Sequence, residues 1–156
     1  RSGLPAALGG LCAPTARLVV VQPLPARGQR ISELVGGDPA LEAAEESLFS
    51  DPANALVNWD ADDLETSLAE AGWTVDTSEI IESRETRYLA REQIDRWLDP
   101  DRPGGLGAAL AAQSGTDRDA AVGLLRTRLV GKTVEWKTVF ALLIASYRDE
   151  RPKAGA

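Results

Sequence analysis

Arg27 and Arg30 bracket Gly28 a few residues beyond the apolar run Leu18 to Val21, and no acidic residue precedes them. Two guanidiniums just past the C-terminal end of a strand stand where open α/β sheets place their ligands. Their forked donors suit a phosphate or a carboxylate. Asn58-Trp59-Asp60-Ala61-Asp62-Asp63 is a second cluster. Its carboxylates could hold a divalent cation, and the Asn-Trp pair could grip a planar base. The same residues also make sense with no ligand: a helix cap, an acidic first turn at the positive end of the dipole, and Trp59 as the apolar residue ahead of the cap. Arg84, Arg87, Arg91 and Arg96 form a basic patch able to receive phosphates or an acidic partner. Interleaved Glu85, Glu92 and Asp95 offer local ion pairs as the simpler account.

Two further motifs fail on their own chemistry. Gly131-Lys132-Thr133 has Arg126 where a phosphate loop needs its first glycine, and it follows a helical pattern instead of a strand. Asp99, Asp101 and Gly104 begin like a calcium loop, but Pro103 replaces a ligand and Leu110 replaces the closing glutamate. The chain has no histidine, which removes Ser-His-Asp and Cys-His catalysis and the commonest zinc ligand. Its one cysteine, Cys12, can form neither an internal disulfide nor a thiolate cage, and is read as a small buried residue. No metal site is expected.

The net charge of −7 over 156 residues argues against a general nucleic-acid binder. It is unevenly spread. Residues 1–30 carry four arginines and no acid, residues 31–83 carry 14 acids and no base, and the remainder is mildly basic. An acidic middle between basic flanks suggests that the flanks fold back on it or that a face meets a basic partner. A merely solvating surface is the plainer alternative. The chain starts at Arg1 and lacks methionine, as expected of a processed or truncated product. No stretch approaches the ~18 apolar residues of a membrane span. A cytoplasmic (or organelle stroma) setting is expected.

The elements that must position these residues can be read from apolar period and capping chemistry. Leu4 to Leu11 suggests a short helix. Arg17 to Gln22, closed by Pro23 and Pro25, reads as a strand buried on both faces, central in a parallel-type sheet. Gly28–Val35 and Pro39–Phe49 read as helices, the second capped by Asp38 with Pro39 in its first position. Asp60 caps a helix reaching Ala71, and Gly72 stops it. Trp73 to about Thr86 is a second strand, with a bulge or bend expected between Thr77 and Ile80 because the alternation slips there. Helices follow at Ala90–Leu98, Leu106–Gln113 and Asp117–Val130, with the loop Asp99–Gly105 between the first two. Thr138–Tyr147 is the last strand. Three strands make a thin sheet, to be completed by another chain, a second copy or a missing part.

Leu11-Cys-Ala-Pro-Thr-Ala-Arg-Leu-Val-Val-Val-Gln-Pro23 resembles the fifth-strand region of class I S-adenosylmethionine-dependent methyltransferases. Ala13-Pro14-Thr15-Ala16 stands where that family has a Leu-x-Pro-Gly-Gly turn. The resemblance makes Asp62–Gly72 the following helix, Trp73-Thr-Val75 the entry to a sixth strand and Val139–Tyr147 the seventh. Tyr88–Lys137 becomes a helical insertion. More narrowly, Pro25-Ala-Arg-Gly-Gln-Arg-Ile31, Leu56-Val-Asn-Trp-Asp60 and Val134-Glu-Trp-Lys137 resemble an uncharacterised module. In cyanobacterial-type proteins that module is fused behind a replication-associated recombination AAA+ ATPase.

The resemblance implies a partial Rossmann-like, methyltransferase-like α/β domain over residues 1–156, with a sheet core at 11–87 and 138–148 and the insertion at 88–137. It implies methyl transfer from S-adenosylmethionine only when a missing N-terminal half or a partner chain completes the fold. No Gly-x-Gly-x-Gly occurs in the chain, so no cofactor is expected to bind it alone and it is expected to be inactive in isolation. Arg27, Arg30, Asn58 and Trp59 are the substrate-side candidates. The alternative is a non-catalytic interaction module of a larger assembly, docking through a sheet edge and its polarised charge.

Overall fold

The computed structural model describes residues 15–54, 57–113 and 115–147. The expected Leu4–Leu11 helix and Cys12 lie outside the described residues. In chain order come β1 (Arg17–Pro23), a 3-10 turn (Pro25–Arg27), α1 (Ile31–Leu34), α2 (Pro39–Ser50) and α3 (Ala61–Glu70). Then follow β2 (Trp73–Leu89), α4 (Arg91–Trp97), α5 (Leu106–Ala111), α6 (Gly115–Leu129) and β3 (Lys132–Tyr147). The protein is mixed α/β, with a three-stranded antiparallel sheet in the order β1-β3-β2. β1 pairs antiparallel with β3 from Arg17↔Ser146 to Pro23↔Phe140.

This corrects the expectation for β1. Among the described residues it is an edge strand in an antiparallel pair, not the doubly buried centre of a parallel-type sheet. Its burial alternates: Leu18 and Val20 are half-buried and pack on a core, whereas Val19 and Val21 are 60% and 57% exposed. A run of apolar residues reads as buried on both sides, but only one side of β1 meets a core among the described residues.

The chain divides into two compact units. The first comprises residues 1–24, 59–81 and 139–156. Its core joins Leu24, Ala61 and Leu68 to Trp73 and to the row Val139, Ala141, Leu143 and Ala145. β3 supplies that row because successive side chains alternate faces, so every second residue of Val139–Ala145 points one way. α3 covers the row through a cap that the sequence spells out. The Asp60 N–H donates to Asp63 Oδ2 at 2.7 Å, and the Asp60 carboxylate answers toward the first turn. Gly72, at φ +84, ends the helix in a left-handed conformation that a side chain would oppose. The Trp73 and Tyr147 rings meet at 5.3 Å in a tilted pair.

The second unit comprises residues 25–58 and 82–138. Its helices therefore group as α1 and α2 with α4, α5 and α6, so 25–58 packs with the expected insertion. Leu41 and Ala44 of α2, Ile94 of α4, Leu106 and Leu110 of α5, and Ala121, Leu125 and Leu129 of α6 form one buried cluster with Leu89. α5 approaches the end of α4 so closely that a Cβ at Gly107 would lie 2.5 Å from the Leu98 carbonyl carbon. Only glycine permits that crossing.

Three boundaries differ from the sequence reading. Of the expected Gly28–Val35 helix only α1 forms: the Gly28 N–H instead donates to the Pro25 carbonyl at 3.1 Å and closes the 3-10 turn, and Gln29 and Arg30 belong to no helix. There the Gln29 N–H donates to the Lys137 carbonyl at 2.9 Å. β2 runs unbroken to Leu89, and its slipped alternation reflects exposure of both faces from Ser78 to Thr86. β3 starts at Lys132, six residues before Thr138, since half-buried Val134 and Trp136 alternate with exposed Thr133 and Glu135. Among the described residues no helix is long and apolar enough to cross a membrane.

Candidate functional site

A pocket of about 330 Å³ opens within the second unit. Aromatic walls come from Phe49 at the end of α2, Trp97 at the end of α4 and Trp136 of β3. Arg96 and Arg102 also line the pocket, and the turn Pro103-Gly104-Gly105 forms one side. The volume falls at the lower end of the range for small-molecule sites.

Each wall is held by identifiable chemistry. The Trp97 and Trp136 rings lie 5.6 Å apart, tilted by 32°. Trp136 also carries the Arg87 guanidinium 4.4 Å above its ring, and Phe49 carries that of Arg30 at 4.2 Å. Such stacking fixes both the cation and the ring. The glycine turn is pinned by Asn54, a buried amide whose Nδ2 donates to the Gly104 carbonyl at 3.2 Å. Gly104 has φ +68, and a Cβ there would press on the Asn54 side chain at 3.0 to 3.2 Å. Its glycine thus serves both conformation and close approach.

Glu45, 3% exposed, is the carboxylate of the pocket lining, and its oxygens are occupied. It accepts the Ile31 N–H at 2.5 Å, the Ser32 N–H at 3.2 Å and the Ser32 hydroxyl at 2.6 Å. α1 has no cap from its own N-cap residue, Arg30. Glu45 reaches across from α2 to satisfy those first N–H groups, which is a structural task.

The sequence-predicted residues separate on this framework. Arg30 reaches the pocket indirectly, through Phe49, while exposed Arg27 ends the 3-10 turn outside the lining. Asn58 Nδ2 donates to the Asp51 carbonyl at 2.8 Å and so closes the 51–58 connection. Trp59 belongs to the first unit, where it and Leu64 pack on the same core, as an apolar residue ahead of a helix cap should. Asp60 and Asp63 are spent on the cap, and among the described residues no group of ligating side chains could hold a metal.

The four arginines from 84 to 96 have different surroundings. Arg84 lies between Glu135 at 2.7 Å and Glu82 at 2.8 Å; first Glu135 and then Glu82 raise its guanidinium above the ordinary arginine range. Arg87 pairs with Glu85 and covers Trp136. Arg91 opens α4 and is exposed. Arg96 lines the pocket. Asp95 pairs with Arg126 at 3.0 Å, not with its neighbours. Arg96 and Arg102 enter none of the ion pairs among the described residues.

Sequence reasoning missed Phe49, Trp136, Arg102 and Glu45 as a set. One signal was legible. Glu45 sits four residues after Leu41 and one after Ala44, on the apolar side of α2, where a carboxylate needs a partner. Chemically, aromatic walls beside two arginines that enter no ion pair among the described residues suit a flat molecule bearing an anionic group.

No protein-family model matches this chain, and no curated protein matches it.

Proposed function

We propose that the chain is the C-terminal half of a methyltransferase-like α/β fold and that by itself it binds instead of catalysing. The observation that carries this reading is the strand order. β3, last in sequence, is inserted between β1 and β2 and runs antiparallel to β1. If β1, β2 and β3 are the fifth, sixth and seventh strands, the resemblance requires that insertion of the last strand. An antiparallel strand between two others also leaves β1 and β2 parallel to each other, so the fragment alone reads as antiparallel. β1 has an open edge among the described residues, where further strands would add.

S-adenosylmethionine does not fit the residues present. Among the described residues the glycines with positive φ, Gly36, Gly37, Gly72, Gly104 and Gly131, all lie outside the link from β1 to α1. With β1 as the fifth strand, the glycine-rich cofactor loop belongs to the N-terminal half of that fold, and the link after β1, which holds Gly28 alone, offers no substitute for it. No step of methyl transfer is therefore assigned to this half. The pocket beside Arg30 and Arg96 is the place where it would contact a flat anionic substrate.

Calorimetric titration of S-adenosylmethionine tests the reading on the chain alone and on a version carrying the residues encoded upstream of Arg1. Heat only from the extended version is expected. Binding by neither sinks the methyltransferase reading and leaves a non-catalytic docking module of a larger assembly, which the open β1 edge favours. Such a module would form a salt-sensitive complex with a basic protein.

A further inference from the structure

The first unit has a second sheet face that its core does not use. Directly opposed residues of an antiparallel pair point to the same side, so Arg17, Val19 and Val21 share a face with Ser146, Ile144 and Leu142. Val19 and Val21 are 60% and 57% exposed, and Phe140, Leu142 and Ile144 are half-buried. On the β2 side, Asp76 reaches the same face, because the Ser146 hydroxyl donates to its Oδ1 at 3.2 Å. Ile80, four residues on and so on the same side of the strand, is 46% exposed. The face is thus aliphatic at Val19, Val21, Leu142, Ile144 and Ile80, with Ser78 between Asp76 and Ile80 on β2. One cross-strand row at its end carries Arg17, Ser146 and Asp76.

We propose that this face is an interface between two copies of the chain, packed sheet against sheet. The charge row selects a second copy as the occupant. Arg17 lies on the β1 edge and Asp76 on the β2 side of the same row, with β3 between them. A two-fold axis parallel to β3 lays β1 of one copy over β2 of the other. It sets Arg17 of each chain opposite Asp76 of its mate, twice over, while the aliphatic strips meet between them. Stacked sheets lie ~10 Å apart, a gap that an extended arginine and an aspartate span together. An isologous contact of this kind closes at two copies. Three strands about 4.8 Å apart and roughly seven residues long give a footprint of roughly 14 by 24 Å. That is small beside the ~800 Å² per partner of a standard interface, so the dimer is weak and concentration-dependent.

Sedimentation velocity on the full chain from about 10 μM to 1 mM tests this, with circular dichroism as the fold control. A monomer–dimer equilibrium is expected within that range. Arg17→Glu and Asp76→Arg should each weaken it by roughly ten-fold, since each reversal places two like-charge pairs in the interface. The double variant Arg17→Glu/Asp76→Arg restores both pairs in a symmetric dimer and should return the affinity to within about three-fold of the parent. Val21→Lys should abolish association. A monomer at every concentration overturns the proposal, as does a dimer indifferent to both single reversals or a double variant as weak as its parents combined. None of these outcomes depends on S-adenosylmethionine binding.

Discussion

Replacing Glu45 by alanine separates a structural carboxylate from a chemical one. The side chain is 3% exposed and receives three hydrogen bonds, from the Ile31 N–H and from the N–H and hydroxyl of Ser32. Ser32 is itself buried, so truncation strands two donors of that residue and uncaps α1. A hydrogen bond to a charged group contributes about 1.5 to 3 kcal/mol, and each orphaned buried donor costs about 1 to 3 kcal/mol. These overlap. Glu45 also lines the pocket, so water can enter the space left behind and recover part of the loss. The expected destabilisation is therefore about 3 kcal/mol, roughly one well-made charged bond plus one stranded donor. In a chain of this length that lowers the melting midpoint by roughly 6 to 12 °C. Urea unfolding followed by tryptophan fluorescence and far-ultraviolet dichroism measures it. Glu45→Gln keeps one acceptor but turns an amide NH₂ toward donors, and should lose about half as much. A loss under about 1 kcal/mol for alanine would refute the capping argument. A gain in stability would instead mark a group kept for function at the expense of the fold.

Other substitutions probe the frame and the pocket. Gly107→Ala places a Cβ 2.5 Å from the Leu98 carbonyl carbon and 2.6 Å from that of Asp99, both backbone atoms that cannot swing away. It should cost about 1 to 3 kcal/mol by chemical denaturation. Asp38→Ala removes the acceptor for the Ala40 and Leu41 N–H groups at 3.1 and 3.0 Å, and should cost about 1 kcal/mol, with Asp38→Asn recovering most of it. Adenosine 5′-monophosphate, as a flat anionic probe, should quench the fluorescence of Trp97 and Trp136. Arg96→Ala with Arg102→Ala should weaken that binding at least ten-fold while leaving the unfolding midpoint unchanged; equal quenching with and without the arginines would remove the anion from the argument.

What the sequence made legible was chemistry completed within a few residues. Asp38-Pro39 opening α2, Asp60 capping α3 and Gly72 closing it all depend on near neighbours, and each was found where expected; the return bond to Asp63 was added by the structure. β1 was legible as a strand but not in its burial, because Val19 and Val21 are exposed or covered according to what lies beyond the sheet. Nothing local encodes that. The first six residues of β3 were hidden by Lys132, Glu135 and Lys137, whose charges mask the alternation of Val134 and Trp136. The pocket was harder still. Phe49, Trp97 and Trp136 come from three elements far apart in sequence, and each reads singly as core.

The charge pattern changes meaning once partners are known. The acidic tract from 31 to 83 invites a basic partner, yet much of its charge serves the backbone. Asp38, Asp51, Asp60 and Asp63 each accept a nearby main-chain N–H, and Glu45 accepts two from α1. Each carboxylate so used satisfies donors that folding would otherwise strand, so it stabilises loops and helix ends whether or not a partner exists. The tract is also split, with α1 and α2 in one unit and α3 in the other. On the basic side, Arg84, Arg87 and Arg126 are matched by carboxylates, whereas Arg96 and Arg102 line a pocket with no ion pair among the described residues. Recognition by this chain should therefore respond to the loss of those two arginines far more than to neutralising its acids, whose removal should be read first as lost stability.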